Sequence, residues 1–204
     1  MEILERGEIA EVVSDLRWRG HEREPHKRSK NARQNLAVFR LSCCYGLRRQ
    51  EISRLRLGDL NWAEGHATLR VTRWAAKGSK SRVVRLDWSP GAKVDLWRWC
   101  QERVSRGANA SDLVICDLRP EYYGLGLDPT SIAKRWRTAI RILGPQRVEQ
   151  LSVHQGRHTF VSHALASGRA LPVVRDAAGH SSIAITDVYL HAIDDPELPP
   201  VFAV

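Results

Sequence analysis

The sequence predicts a mainly α-helical fold with one small antiparallel β-sheet, an α+β class. Apolar residues recur at helical spacing along most of the 204 residues, while only two short stretches alternate polar and apolar side chains. Prolines and glycines stand where helices begin and end. Because 43% of the residues are hydrophobic and seven are tryptophan, the chain can bury one substantial core.

Capping signals place the predicted helices. Asn31 begins the first, which ends at Gly46, and a second starts at Arg48. Ser89 and Asp128 each precede a proline at a first helical position and so open two more. The predicted helical stretches are 31–46, 48–57, 90–106, 129–143 and 154–191, the last with breaks at Gly168, Pro172 and Gly179.

Two strands are predicted in the front third of the chain. Residues 68–72 and 82–86 both alternate polar and apolar side chains. Residues 75–81 lie between them as a turn, with Gly78 at its tip. The turn carries Lys77 and Lys80, so the pattern predicts a β-hairpin with a cationic tip.

The charge distribution favours a polyanionic partner. The net charge is +9 and the isoelectric point is near 9.9. Basic residues are concentrated between Arg17 and Arg40, whereas the chain from Ile185 onward has no Lys or Arg. We expect a basic arm or linker, then the folded domain, then an acidic tail. The predicted bounds are 1–30 for the arm, 31–192 for the domain and 193–204 for the tail.

Composition also predicts the compartment. No stretch approaches the roughly 18 consecutive apolar residues of a membrane span, and the N-terminus is too charged for a secretory signal. The four cysteines lack the spacing of a zinc site, which predicts reduced thiols. We therefore expect a soluble, cytoplasmic protein.

Two candidate sites lie in the first half of the chain. Arg48 follows a glycine turn, and Glu51 lies three residues later on the same helix surface. A guanidinium oriented by a carboxylate can donate two parallel hydrogen bonds to a phosphate. An exposed Arg–Glu ion pair on a helix surface has the same spacing and is the alternative interpretation. Lys77 or Lys80 can reach over a substrate and protonate a leaving oxygen, although a solubilising turn has the same composition.

A third candidate site is the His154 to His158 segment. His154 and Arg157 share one helix face, from which both can donate hydrogen bonds to phosphate oxygens. His154 and His158 also have the spacing of a metal-binding pair. However, Gln155 stands where a zinc protease has its glutamate. A plain surface helix is the remaining alternative.

The fourth candidate pairs His180 with Tyr189. A phenol has an unperturbed pKa near ~10 and needs neighbouring cations to become a nucleophile. Taken alone, Tyr189 also fits a core or rim aromatic residue.

In their order, these motifs resemble the tyrosine recombinase, or phage integrase, family. The shared pattern is Gly-Leu-Arg-x-x-Glu, Lys-Gly in a hairpin, His-x-x-Arg-His-Thr-Phe, Gly-His-Ser-Ser and a tyrosine, over roughly residues 31–192. The 23-residue step from Arg157 to His180 and the nine-residue step to Tyr189 are typical of it. The resemblance implies the family's catalytic-domain fold and site-specific DNA recombination through a 3′-phosphotyrosine.

The resemblance also implies a role for each matched residue. Arg48, Arg157 and His180 would bind the phosphate, and Glu51 would support Arg48. His154 would assist proton transfer, and Lys77, in preference to Lys80, would act as the general acid. Tyr189 would be the nucleophile. Cationic side chains would do the electrostatic work of a metal, so we expect no metal, no cofactor and no ATP.

The implied partner is double-stranded DNA, to which the protein would bind as a homotetramer. No association with a membrane is expected. Contacts to the DNA backbone are predicted for Arg17, Arg19, Arg23, Lys27, Arg28, Lys30, Arg33 and Lys80. Two alternatives share the fold. One is a DNA-binding accessory or regulatory protein with little catalysis, and the other is a type IB topoisomerase-like enzyme that relaxes DNA.

The sequence departs from the family pattern at two places. Gly156 replaces the usual leucine, which predicts a less rigid helix. Ala177 and Ala178 replace bulkier residues, which predicts looser packing behind His180. Only about 30 residues precede the resemblance, whereas the family usually has an N-terminal DNA-binding domain. The sequence is therefore expected to be either a naturally minimal enzyme or a catalytic fragment.

Overall fold

The computed structural model describes residues 2–21, 29–72 and 81–179, and their fold is mainly helical with a small antiparallel sheet, as predicted. The described strands are β1 (Leu60–Asn61), β2 (Thr68–Val71) and β3 (Arg82–Arg85). The described α-helices are α1 (Arg6–Gly20), α2 (Ser29–Cys43), α3 (Arg49–Ile52), α4 (Pro90–Ser105), α5 (Pro129–Ala139), α6 (Pro145–Gln150), α7 (Val153–Ala166) and α8 (Leu171–Ala178). Among these helices, none has the length and apolar composition of a transmembrane span.

Helix α2 is the centre of the fold, because α1, α4, α5 and α7 all pack against it. Its side chains from Leu36 to Leu41 are buried. The four cysteines, which are Cys43, Cys44, Cys100 and Cys116, are buried and form no disulfide in this structure. The core therefore forms around one helix, and the elements described below are fixed by their contacts with it.

Helix α1 corrects the prediction that residues 1–30 form a basic arm. Ile9, Val12 and Leu16 of this helix are buried against the rest of the core. Their spacing is that of one helix face, which the surrounding charged residues obscure in the sequence. The arm prediction is wrong for residues 6–20, since this segment is an integral part of the domain.

Some of the basic residues for which DNA contacts are predicted form ion pairs within the fold. These pairs are Arg17 with Asp95, Arg19 with Asp15 and Arg33 with Glu102. Their role on DNA therefore stays a prediction. The backbone of Lys30 belongs to α2. Arg23, Lys27 and Arg28 lie outside the described residues.

A buried ion network joins α1, α2 and α4. The Asp95 carboxylate accepts hydrogen bonds from Arg40 Nε and Nη2 at 3.0 and 2.8 Å and from Arg17 Nε at 2.9 Å. Arg40 and Asp95 are both buried. A charge inside the core is tolerated only when it is paired, so this network holds the three helices in one arrangement.

The segment before α1 is fixed to α7 by backbone groups. The Leu4 N–H donates to Thr159 Oγ1 at 2.9 Å, and His163 Nε2–H donates to the Leu4 carbonyl at 2.8 Å. Burial lowers the pKa of His163, although the Leu4 hydrogen bond acts in the opposite direction. Helix α7 is therefore held by α2 and also by the N-terminal segment.

The predicted hairpin is present, with Leu69 of β2 opposite Val84 of β3. Both residues are buried, which confirms the inward face of the alternating pattern. Strand β1 adds a third, unpredicted strand beside β2. The hairpin tip, with Lys77 and Lys80, lies outside the described residues.

The predicted helix over residues 48–57 is too long, because α3 ends at Ile52. The next residues bond to a loop instead. Leu57 N–H donates to the Asp112 carbonyl, and Val114 N–H donates to the Leu55 carbonyl, each at 2.9 Å. These partners lie far along the chain, so a local pattern cannot show them.

The other helix predictions differ at their ends. Helix α4 has the predicted bounds within one residue, α5 continues as a 3₁₀ turn (Ile140–Leu143), and α6 was not predicted. The last predicted helical stretch begins one residue earlier than expected and divides into α7 and α8 at Gly168, whose φ is 80°. Residues 180–191 of that stretch lie outside the described residues.

Replacing Asp95 by Asn should lower the free energy of unfolding by about 3 kcal/mol, because Arg40 would stay buried without its counter-ion. Urea unfolding followed by circular dichroism measures this change. The control is Asp87→Asn, since Asp87 pairs with Lys93 at 2.7 Å nearer the surface, where such pairs contribute about 0–1 kcal/mol. Equal losses in the two variants would contradict the prediction.

Candidate active site

Arg48 is brought to the site by the turn that follows α2. Gly46 has a φ of 68°, and a Cβ there would lie 2.4 Å from a ring carbon of Phe160 on α7. Only glycine fits this turn. The Arg48 side chain is 39% exposed, so it is anchored while still open to a ligand. Its Nη1 donates to Glu51 Oε1 and its Nη2 to the Gly179 carbonyl, both at 3.1 Å.

Glu51 contacts Arg48, as the spacing predicts, and also has a partner that the sequence analysis missed. Its carboxylate accepts from the Arg48 N–H at 2.8 Å and from both terminal nitrogens of Arg82 at 2.8 Å. Burial acts to raise the pKa of Glu51, but the hydrogen bonds and charges of Arg82 and Arg48 outweigh it and lower the pKa to about 2. The carboxylate is therefore ionised at neutral pH.

The sequence carried one signal for Arg82. It occupies an inward position of β3, in alternation with the buried Val84. An arginine on the buried face of a strand requires a partner, because an unpaired charge there is costly. The identity of that partner depends on the tertiary fold and could not be predicted locally.

Helix α7 carries His154 and Arg157. Ser152 caps it, since its Oγ accepts from the His154 N–H at 3.2 Å, and Gln155 completes the capping box. Arg157 is 3% exposed, and its Nη1 donates to the Gly46 carbonyl at 2.6 Å. The turn that positions Arg48 therefore also binds the second arginine.

Arg48, His154 and Arg157 line one cavity of about 370 Å³. Its other lining residues are Arg49, Gln50, Ala133, Ser152 and Val153. The structure thus brings together three predicted site residues from two distant segments of the chain. The other predicted catalytic residues, which are Lys77, His180 and Tyr189, lie outside the described residues, as does Lys80, the alternative to Lys77.

The imidazole of His154, which lines this cavity, lies beside the imidazole of His158. The ring centroids of His154 and His158 are 5.1 Å apart, with the rings edge to face. Burial and the nearby Arg157, Arg48 and Arg49 lower the pKa of His154. Burial, with His154 and Arg157, lowers the pKa of His158 to about 4. Both rings are therefore mainly neutral at pH 7, and a neutral imidazole can accept a proton.

Gly156 allows α7 to approach α2 closely. A Cβ at this position would lie 2.2 Å from Ser42 Oγ and 2.9 Å from Cys43 Sγ. Glycine is required here because a side chain would collide with α2, while the expected loss of helix rigidity stays a prediction. The conformational cost of glycine is offset by close contact with the central helix.

Helix α8 ends beside the site at Gly179, which has a φ of 68° and caps the helix in the left-handed conformation. The preceding Ala177 and Ala178 are buried in a small apolar cluster with Phe160 and Val174. The expectation of looser packing behind His180 stays a prediction, because His180 lies outside the described residues.

Comparison with known proteins decides the family. The model of the phage integrase family matches residues 23–195. The chain belongs to the phage integrase family. This confirms the resemblance found in the motifs, and the match includes both the Arg48 turn and the α7 segment.

Named relatives agree with this membership. A tyrosine recombinase of Pseudothermotoga lettingae is 29% identical over 176 residues, which are 84% of this chain and 54% of the relative. Tyrosine recombinase XerC of Pseudomonas fluorescens (strain Pf0-1) is 31% identical over 172 residues, 84% of this chain and 52% of the relative. This phage integrase family member spans about half the length of these relatives.

Solved structures share the fold. The crystal structure of XerA recombinase has a TM-score of 0.70 at 21% identity, over 96% of this chain and 62% of the other. XerH site-specific recombinase, in a pre-cleavage complex with its difH substrate, has a TM-score of 0.66 at 23% identity, over 93% and 50%. At these identities the likeness concerns the fold of the phage integrase family domain.

Replacing Gly156 by Ala should destabilise the protein by about 2 kcal/mol, because the added methyl group overpacks the α2–α7 contact. Urea unfolding measures the change. Gly7→Ala is the matched control, since a Cβ at Gly7 meets no atom within 4 Å. Alanine there should stabilise α1 by about 0.5–1 kcal/mol. A stability increase in both variants would contradict the close packing at Gly156.

The stabilisation from Glu51 should depend on pH. Its folded pKa of about 2 is below the ordinary value of 4.5, so its contribution is present above pH 4.5 and is lost as the pH falls toward 2. The difference in unfolding free energy between the unmodified chain and Glu51→Gln should shrink over that range. Urea unfolding of both proteins at stepped pH measures this difference. A difference that stays constant with pH would contradict the ionised carboxylate.

Proposed function

We propose that this phage integrase family member cleaves and rejoins DNA strands in site-specific recombination, through a covalent 3′-phosphotyrosine. The observation that carries the proposal is the convergence of Arg48, His154 and Arg157 on one cavity. Family membership and the names of the relatives support the same reaction.

The cavity suits a phosphodiester during in-line attack. A nucleophile that adds to phosphorus increases the negative charge on the non-bridging oxygens. Arg48 is partly exposed and already oriented by Glu51, so it can offer hydrogen-bond donors without much loss of side-chain entropy. Arg157 adds a second guanidinium from the buried side of the cavity. The cations stabilise the transition state more than the ground state, as catalysis requires.

The reaction that we propose begins at Tyr189. Its phenolic oxygen bonds to phosphorus while the bond from phosphorus to the 5′-oxygen breaks. The neutral imidazole of His154 accepts the phenolic proton of Tyr189, and Lys77, rather than Lys80, protonates the departing 5′-oxygen. His180 adds a hydrogen bond to the phosphate. The products are a 3′-phosphotyrosine and a 5′-hydroxyl, and rejoining is the reverse reaction, so no ATP is consumed.

The proposed partner is double-stranded DNA, on which four copies of the chain assemble. XerH bound to its difH substrate and the Tn1549 transposon integrase in complex with transposon right end DNA are structural neighbours that support a DNA partner. We also propose that the reaction takes place in the cytoplasm. The basic residues from Arg17 to Arg33, with Lys80, would contact the phosphate backbone. Three of them, Arg17, Arg19 and Arg33, also form ion pairs within the fold.

A covalent trap tests this function and identifies the target site in the same experiment. The full chain is incubated with a pool of duplexes that have randomised sequence around one 5′-bridging phosphorothiolate. Attack by tyrosine releases a 5′-thiol that rejoins poorly, so the protein stays attached to DNA after denaturation. Sequencing of the attached DNA then gives the target sequence. We expect an adduct that forms in the presence of EDTA.

The controls separate the proposed chemistry from simple binding. Tyr189→Phe should abolish the adduct, whereas Tyr122→Phe should leave it unchanged, because Tyr122 is an exposed residue stacked on Arg119. Arg48→Ala should slow adduct formation by about 10²–10³-fold. The proposal fails if no adduct forms, or if the adduct persists in Tyr189→Phe.

A further inference from the structure

Arg82 lies buried where three segments of the fold meet. Its Nη1 and Nη2 donate to the two oxygens of Glu51 at 2.8 Å each, and its Nε donates to the Ala177 carbonyl at 2.7 Å. The Arg82 side chain is 6% exposed. One guanidinium therefore connects the start of β3, the first turn of α3 and the end of α8.

Arg82 and Arg48 share one partner, Glu51, and they bind two different carbonyl groups at the same end of α8. Arg48 donates to Glu51 through its Nη1 and its backbone N–H, and to the Gly179 carbonyl through its Nη2. Gly179 packs on Arg82, since a Cβ there would lie 3.0 Å from Arg82 Cδ. Glu51 and Gly179, which accept these hydrogen bonds from the Arg48 guanidinium, are thus both in contact with Arg82.

This arrangement restricts Arg48 more than the Arg48–Glu51 pair would alone. A pair at i, i+3 on a helix surface contributes only about 0.2–0.5 kcal/mol and leaves both side chains free to change rotamer. A bidentate guanidinium fixes the plane of the Glu51 carboxylate, because both oxygens are held at once. The carboxylate then presents a fixed acceptor to Arg48. A lysine could not supply the same fork.

We propose that Arg82 is a positioning residue for the reaction, which orients the Arg48 guanidinium toward the phosphate by fixing Glu51 and the Ala177–Gly179 end of α8. The inference rests on the proposed function. Arg82 itself touches no substrate in this scheme and acts through Arg48.

The test measures the single-turnover rate of adduct formation on the phosphorothiolate duplex pool. A thiolate leaves without protonation, so the rate reports on the groups that bind the phosphate rather than on a general acid. We expect Arg82→Met to be slower by about 10²-fold and Arg82→Lys by about 10-fold. The affinity for the duplex pool should change by less than about threefold. Arg85→Met is the matched control, since Arg85 lies on the exposed face of the same strand.

A pH profile separates positioning from a general loss of structure. The charged groups hydrogen-bonded to Glu51 among the described residues are Arg48 and Arg82. Without Arg82, burial should raise the pKa of Glu51, so that its protonation releases Arg48 as the pH falls. Arg82→Met should therefore gain a decline in rate on the acid side, between about pH 6 and pH 4. The double variant Arg82→Met, Glu51→Gln should lack this decline, because an amide does not titrate.

The outcomes distinguish this inference from the proposed function. The absence of any adduct with the unmodified chain would overturn both. An adduct that forms equally fast in Arg82→Met would overturn only the inference. The inference would also be overturned if Arg82→Met reacted slowly but its rate showed no additional decrease at acid pH. It would be overturned as well if the DNA affinity of Arg82→Met fell in parallel with its rate. If Arg82→Met does not fold, Arg82→Lys carries the test. Thermal unfolding of both variants is measured, and loss of folding in both would overturn a specific positioning role.

Discussion

At Gly156 the backbone of α7 lies so close to α2 that no side chain fits between them. The candidate site depends on this contact. Arg157 and His154 belong to α7, while Arg48 follows the turn that ends α2. Because the two helices touch, Arg157 reaches the Gly46 carbonyl at 2.6 Å and locks the turn in place. A wider helix spacing would separate the two arginines, whatever their individual conformations.

The second constraint is electrostatic. Three arginines, Arg48, Arg49 and Arg157, line one cavity. Like charges in a partly buried site repel one another unless carboxylates and carbonyl groups balance them. Glu51 supplies the negative charge beside Arg48 and Arg82, and the carbonyl oxygens of Gly46, Gly179 and Ala177 supply further acceptors. Burial, together with Arg157, Arg48 and Arg49, lowers the pKa of His154, so that the imidazole is mainly neutral at pH 7. The site is thus prepared for an anionic ligand before one binds.

Local patterns predicted the fold class, the hairpin and most helix starts, because capping and alternation are properties of neighbouring residues. The convergence of Arg48 and Arg157 came from the family resemblance, since no local rule joins positions so far apart. Helix α1 was missed because the charges around Ile9 and Val12 hid its apolar face. Arg82 was missed because its partner is set by the tertiary fold. The roles of Lys77, His180 and Tyr189 stay predictions.

The attachment of Leu4 to α7 bears on how this chain can be divided. The backbone of Leu4 forms hydrogen bonds with the side chains of Thr159 and His163, on the helix that also carries Arg157. A shortened protein designed from the charge pattern alone would begin near residue 30 and would lack the residues before it. That cut would uncover the central helix and release one end of the arginine-bearing helix. A useful fragment boundary therefore lies ahead of Leu4, and fusion partners belong there with a spacer.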